Sequence, residues 1–129
     1  MISLLDPHQV GPHIVVEVTG EVDVTSASVL RDRLLALLNR GADSLVVDLR
    51  GVTFIDSTGA GSLLRVFHRQ GLLGGAIHFV ADQPAVLRVL ELMQLTRRLH
   101  VTRSVAAVDV CCPAPASVRT LVPPRVVAR

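Results

Sequence analysis

One short segment of the sequence combines a hydroxyl group, a neighbouring carboxylate and small residues. Residues 54–61 read FIDSTGAG and lie where a strand pattern gives way to a helical one. Ser57 could cap that helix by accepting a hydrogen bond from a free backbone N–H group. Alternatively, its hydroxyl could be a chemically active or modified group at the start of the helix. The segment alone leaves both interpretations open.

The surrounding residues give little support to enzymatic uses of Ser57. A hydrolase nucleophile elbow requires Gly-x-Ser-x-Gly, but Ile55 stands two residues before Ser57. A phosphate-binding P-loop requires lysine, which the chain lacks. The aspartic protease pattern has one residue fewer between its acid and its glycine. Asp23 and Asp56 could in principle form an acid–base pair, but no long lid or insertion indicates a pocket around them. We therefore predict that the protein is not an enzyme.

The metal-binding residue types are few and poorly spaced. None of the five histidines has ligand spacing: His8, His13, His68, His78 and His100. The two cysteines, Cys111 and Cys112, are adjacent, so they cannot link distant elements, and two cysteines alone do not make a zinc site. We expect no metal and a reducing, cytoplasmic compartment.

Strands and helices alternate around the 54–61 segment. The predicted strands cover 13–19, 45–49 with an extension at 52–55, 76–80 and 99–101. The first predicted helix follows a cap at Thr25 or Ser26 and buries an apolar stripe before Gly41. Later helices run from the 56–61 loop to about residue 70, follow a cap at Asp82 with Pro84 in the first turn, and span 104–108. This alternation indicates an α/β sandwich.

Charge and composition separate a folded part from a tail. Residues 1–110 carry 10 arginines and 11 acids, whereas residues 111–129 carry three arginines, no acid and four of the seven prolines. The net charge of +2 therefore comes from the tail, and the folded part has no basic surface typical of nucleic-acid binding. We predict one domain at 1–110 and a disordered, dispensable tail at 111–129, although docking of the tail to a partner stays open.

The remaining composition points to a protein with an aliphatic core and no membrane span. The chain of 129 residues has three Phe and neither Trp nor Tyr, and its apolar runs are shorter than a bilayer requires. The N-terminus lacks the features of a signal peptide. All 13 basic residues are arginine, which is consistent with a GC-rich bacterial genome.

Two motifs together resemble a known family. Residues 20–23 (GEVD) follow the first predicted strand, and residues 56–61 (DSTGAG) follow the strand at 45–49. Their order and spacing resemble the STAS domain over about 13–110, in particular bacterial anti-sigma factor antagonists. The glycines at 74–75, the Asp-x-Pro at 82–84 and LMQL at 92–95 are also similar. The resemblance implies a mixed β-sheet of four to five strands with helices packed mainly on one face.

The resemblance also implies a switch in transcription regulation and stress response. In such antagonists the serine after the aspartate, here Ser57, is phosphorylated by an anti-sigma factor that is also an ATP-dependent serine kinase. The unphosphorylated antagonist binds that anti-sigma factor and frees a sigma factor, and a PP2C-type phosphatase restores binding. The antagonist itself needs no cofactor and contacts neither nucleic acid nor membrane. The resemblance leaves open whether it is a monomer or a weak dimer.

The resemblance assigns a partner-binding surface around Ser57, formed with the helix at 58–67. Asp23 and Asp56 match acidic positions that flank the phosphorylated serine, and Thr58 matches a position filled by Ser or Thr. Ala60 stands where the family often has a larger apolar residue. The glycines could permit close approach of a partner or could serve turn formation alone. The full set of predicted switch residues is Gly20, Glu21, Asp23, Asp56, Thr58, Gly59 and Gly61.

One alternative keeps the fold and changes the function. The chain could be a STAS subunit of a signalling or transport assembly that is never phosphorylated. The hydroxyl after Asp56 favours the switch but does not establish that it is used.

Overall fold

A computed structural model describes residues 2–106, which form a sheet covered by three helices. The strands are β1 (Ile2–Leu4), β2 (His8–Val10), β3 (His13–Val22), β4 (Ser44–Ile55), β5 (Ala76–Val80) and β6 (Val101–Thr102). The helices are α1 (Ala27–Asn39), α2 (Ser57–Leu72) and α3 (Pro84–Leu92). The tail predicted at 111–129 and part of the helix predicted at 104–108 lie outside the described residues.

The sheet is mixed. β3, β4, β5 and β6 are parallel neighbours in that order, and β1 and β2 pair antiparallel with the other side of β3. This confirms the predicted α/β fold. Within residues 2–106 the sheet has six strands rather than four to five. β1 and β2 are only three residues long, and segments of that length carry no recognisable alternation in the sequence.

The helices pack on one face of the sheet. Alternate residues of β3 and β4 point to that face and form the main core with apolar side chains of α1, α2 and α3; examples are Ile14, Val16, Leu45, Val47, Leu30, Leu63 and Leu90. The predicted aliphatic core is therefore confirmed, with Phe79 as a buried aromatic within it. Among residues 2–106, no helix has the length and apolar character needed to cross a membrane.

The structure joins the strand predicted at 45–49 and its extension at 52–55 into one strand, and it contradicts one predicted helix cap. β4 runs without a break through Gly51, where a β-carbon would lie 2.7 Å from Cγ2 of Thr19 on the neighbouring strand. The cap predicted at Asp82 is wrong. Because α3 begins at Pro84, the residue at its N-cap is Gln83, whose side chain makes no capping hydrogen bond.

Candidate functional site

The two sequence motifs lie side by side at one edge of the sheet. Val22 at the end of β3 is paired with Ile55 at the end of the parallel strand β4. Asp23 and Asp56 directly follow these two residues, and the backbone N–H of Asp56 donates to the carbonyl oxygen of Val22 at 3.2 Å. The structure thus brings together the GEVD and DSTGAG segments, which are distant in the sequence.

Asp23 organises the loop between β3 and α1. Its Oδ1 atom accepts hydrogen bonds from the hydroxyl of Thr25 at 2.7 Å, from the N–H of Thr25 at 3.0 Å and from the N–H of Ser26 at 3.1 Å. The hydrogen bond from the Thr25 hydroxyl is the main cause that lowers the pKa of Asp23, and the loss of hydration opposes it only in part. Asp23 is therefore a fixed negative charge at this edge.

Ser26 stands at the N-cap position of α1, as predicted, but its side chain does not cap the helix. The hydroxyl of Ser26 donates to the carbonyl oxygen of Glu21 at 2.8 Å, and the carbonyl oxygen of Asp23 accepts from the N–H of Ala27 at 2.8 Å. The loop is closed by its own hydrogen bonds, and Glu21 and Val24 are exposed to solvent.

Asp56, rather than Ser57, caps α2. Asp56 has an extended backbone at the N-cap position, and its Oδ1 atom accepts the N–H of Gly59 at 2.8 Å. The interpretation of Ser57 as the cap is therefore wrong. Ser57 is the first residue of α2, its side chain is exposed, and Thr58 beside it is exposed as well.

The three predicted glycines serve different purposes. A β-carbon on the buried Gly59 would lie 2.7 Å from the carbonyl oxygen of Val22 and 2.8 Å from Cγ1 of Ile55, so contact within the fold requires glycine there. A β-carbon on Gly61 would meet no atom within 4 Å. Gly20 has a φ of 103° at an irregularity in the β3–β4 pairing, and this left-handed conformation favours glycine.

Two exposed apolar side chains beside the motifs escaped the sequence analysis. Phe54 is 46% exposed, and Val24 is 67% exposed. Phe54 is paired with Glu21 across β3 and β4, and Val24 directly follows Asp23. Apolar residues on both faces of the strand end at 52–55 made the exposure of Phe54 unpredictable. The sequence feature that could have indicated its exposure was its position two residues before Asp56.

The histidines are less scattered in space than in the sequence. The rings of His13 and His78 lie 5.8 Å apart, and those of His78 and His100 lie 6.1 Å apart. Nδ1 of His13 is 2.6 Å from the hydroxyl oxygen of Ser44. Within the described part of the chain, no group of three or more His, Cys, Asp or Glu side chains could hold a metal ion.

Comparison with known proteins identifies the family. The family model of the STAS domain matches residues 5–108. The chain therefore belongs to the STAS domain family.

Within that family, the chain is similar to anti-sigma factor antagonists. The anti-sigma-B factor antagonist of Bacillus subtilis (strain 168) is 35% identical over 82 residues, which are 64% of this chain and 74% of that protein. The crystal structure of an anti-sigma factor antagonist from Mycobacterium paratuberculosis matches with a TM-score of 0.77 and 26% identity, over 86% of this chain and 94% of that chain.

The same fold occurs in SpoIIAA, a Bacillus cell fate determinant. Its unphosphorylated form matches with a TM-score of 0.66 and 18% identity, over 84% of this chain and 95% of that chain. Its phosphorylated form matches with a TM-score of 0.60 and 17% identity, over 85% and 98%.

Proposed function

We propose that this protein is an anti-sigma factor antagonist whose binding is switched off by phosphorylation of Ser57. In the unphosphorylated state it binds an anti-sigma factor that is also a serine kinase, and a sigma factor is released. Its similarity to the anti-sigma-B factor antagonist supports this function, and the occurrence of the fold in a protein with phosphorylated and unphosphorylated forms supports the switch.

The proposal rests on the different roles of Asp56, which caps α2, and Ser57, whose side chain is exposed. Asp56 supplies the cap of α2, so the Ser57 hydroxyl is not needed to stabilise the helix. The hydroxyl is instead exposed on the first residue of a helix, at the edge where both motifs meet. A kinase can reach it without unfolding any element.

The chemistry of the switch belongs to the kinase. The oxygen of Ser57 forms a bond to the γ-phosphorus of ATP, ADP leaves, and a base of the kinase takes the hydroxyl proton. A PP2C-type phosphatase transfers the phosphoryl group from Ser57 to water, which releases inorganic phosphate and restores the hydroxyl. The antagonist contributes no catalytic residue and no cofactor, and it acts in the cytoplasm on a protein partner rather than on DNA.

Local electrostatics explain how one phosphate can break the complex. The phosphate adds a charge of about −1.5 to −2, which the N-terminus of α2 offsets by roughly 0.3–1 kcal/mol within the fold. A partner carboxylate about 6 Å away repels each added charge by about 2–3 kcal/mol at an effective dielectric constant of about 20. A tenfold loss of affinity requires only about 1.4 kcal/mol.

The surface around Ser57 offers both charge and apolar contacts to that partner. The charged part consists of Asp23, Asp56 and the exposed Glu21, and the apolar part consists of Phe54 and Val24. Thr58 lies beside Ser57, Gly59 and Gly61 lie in the first two turns of α2, and Gly20 lies near the end of β3. An exposed aromatic side chain next to a modification site suits a binding anchor that the phosphate can disturb.

A phosphorylation assay tests the proposal directly. The purified protein is incubated with each candidate anti-sigma factor kinase, ATP and Mg²⁺, and its intact mass is measured. We expect the natural protein to gain one phosphate. Thr58→Ala is the matched control, because it removes the neighbouring exposed hydroxyl, and it should gain one phosphate as well. Ser57→Ala should gain none.

Binding measurements complete the test. Ser57→Asp should bind the anti-sigma factor at least about tenfold more weakly than the natural protein while keeping the same thermal unfolding curve. If Ser57→Asp binds as tightly as the natural protein, or if no candidate kinase modifies the protein, the proposed switch is contradicted. Those results would favour the alternative function, a STAS subunit of a signalling or transport assembly that is never phosphorylated.

A further inference from the structure

A cleft separates the N-terminal segment of the chain from the second half of α1. It has a volume of about 290 Å³ and is lined by residues of β1, of the connection between β1 and β2, of β3 and of α1. Val16, one of its lining residues, belongs to the main core and is 1% exposed, so the cleft reaches the apolar interior at this side of the sheet. Every lining residue belongs to the described part of the chain.

Most of the lining is apolar. Leu5 is 52% exposed, and Leu4 and Leu37 are only partly buried against the core. An aliphatic chain placed between these side chains would remove apolar surface from water on both sides of the cleft, which is favourable. The apolar lining residues are Leu4, Leu5, Pro7, Val16, Ala36 and Leu37.

Three charged residues line the same cleft. Arg33 lies in α1 and Arg40 directly follows its last residue, so the two are about two helical turns apart and lie on the same side of the helix. Both are exposed, and within residues 2–106 neither guanidinium group has a hydrogen bond or an ion pair. Asp6 is the third charged residue. Two arginines and one aspartate leave an excess of one positive charge, which favours an anion over a cation.

The size and chemistry of the cleft define a class of ligand. An apolar cavity of about 150 Å³ holds benzene, so a cleft of about 290 Å³ has room for roughly ten to twelve non-hydrogen atoms. A carboxylate is the anion that fits the two parallel donors of a guanidinium group, and the apolar lining suits an aliphatic chain.

We propose that this cleft binds a monocarboxylate with an unbranched aliphatic chain of about eight carbons. The chain lies against Leu4, Val16 and Leu37, and the carboxylate pairs with Arg33 or Arg40. The proposal is independent of the switch at Ser57, because the cleft lies along the second half of α1, whereas the loop that carries Asp23 precedes the first residue of this helix.

Titration of the natural protein, followed by NMR of its backbone amides, tests the class of ligand. Octanoate carries both features, acetate has the carboxylate without the chain, and octylammonium has the chain with the opposite charge. We expect octanoate to shift the amide signals of residues 4–6 and 33–40 and to bind at least about tenfold more tightly than either of the others. Equal binding of octylammonium, or shifts confined to other parts of the chain, would overturn the proposal.

Removal of the two arginines tests the role of charge. Arg33→Gln combined with Arg40→Gln should weaken the binding of octanoate at least about tenfold, because both guanidinium groups are lost. The matched control combines Arg88→Gln with Arg97→Gln, which removes the same charge from two exposed arginines outside the cleft and should leave binding unchanged. Equal weakening by the two pairs would assign the effect to net charge and would contradict a site at the cleft.

A larger side chain at Ala36 tests the apolar part. Ala36 is exposed on α1 and lines the cleft, so Ala36→Leu fills the space of the ligand without changing the buried face of the helix. Octanoate should bind at least several-fold more weakly, while the thermal unfolding curve stays the same. Ala85→Leu makes the same change at an exposed alanine of α3 and should bind octanoate as the natural protein does. Full affinity of Ala36→Leu for octanoate would show that the ligand does not occupy the cleft.

A second copy of the chain is the alternative occupant of the cleft. Dilution of the natural protein without octanoate tests for it. We expect the amide signals of residues 33–40 to stay unchanged. Signals that move with protein concentration would make the cleft an interface between copies and would refute the proposal.

Discussion

Gly59 lies so close to Val22 that an added β-carbon would come within 2.7 Å of both the carbonyl oxygen and the Cγ1 atom of Val22. This contact presses the first turn of α2 against the end of β3. Asp23 follows Val22, and Ser57 lies two residues before Gly59, so one contact fixes the distance between the two motifs. The position of the proposed phosphorylation site therefore depends on a strand that is remote in sequence.

Gly59→Ala should destabilise the protein by about 1–3 kcal/mol, because a backbone carbonyl cannot move away as a flexible side chain can. Unfolding in urea measures the change. Gly61→Ala is the matched control, since a β-carbon there meets no atom within 4 Å and alanine is favoured over glycine in a helix by about 0.5–1 kcal/mol. A Gly59→Ala variant as stable as Gly61→Ala would contradict the packing argument.

The Gly61 variant also separates two uses of glycine. If Gly61→Ala is stable yet binds the anti-sigma factor poorly, close approach by the partner requires glycine at this position. If it binds normally, Gly61 has no part in the interface.

Removing the cap at Asp56 should weaken α2. Asp56→Ala loses the acceptor for the N–H of Gly59 and should cost about 0.5–2 kcal/mol. Asp56→Asn keeps an oxygen acceptor and removes the charge, so its free energy of unfolding should stay closer to that of the natural protein. Urea unfolding of the two variants distinguishes the cap from the charge, and equal losses would assign the stabilisation to charge alone.

The strand and helix patterns predicted the order of the main elements, whereas only the family resemblance implied that Asp23 and Asp56 lie close to Ser57. The sequence did not predict which residue caps α2. Asp56 and Ser57 are both good caps, and only the backbone conformation at the end of β4 decides between them. The solvent exposure of Phe54 also depended on pairing with Glu21 on a strand far away in sequence.

The ion pair of Asp48 and Arg50 should make stability depend on pH. Burial raises the pKa of Asp48, but hydrogen bonds and charge from Arg50 outweigh it, and the net pKa is lowered. The pair joins Oδ2 of Asp48 to Nη2 of Arg50 at 2.7 Å. Because the folded pKa lies below the ordinary value of about 3.9, the stabilisation is complete above that value and is lost as the pH falls through the folded pKa.

Asp48→Asn should therefore cost about 1–2 kcal/mol at neutral pH, a modest value because water partly screens the exposed side of Arg50. The difference from the natural protein should narrow below about pH 4. Asp32→Asn, in the exposed pair with Arg31, serves as control and should change stability little at any pH. Chemical denaturation between pH 3 and 7 measures both, and a difference that does not vary with pH would contradict the assignment.

Phe54 should anchor the partner. Phe54→Ala removes an exposed aromatic side chain beside the two motifs, so it should weaken binding to the anti-sigma factor about tenfold while leaving the free energy of unfolding nearly unchanged. Leu72→Ala is the control, since Leu72 is 82% exposed at the other end of α2. Calorimetric titration of both variants with the same anti-sigma factor locates the interface. Weaker binding by Leu72→Ala than by Phe54→Ala would move the interface to the far end of the helix, where a phosphate on Ser57 could not break it by local repulsion.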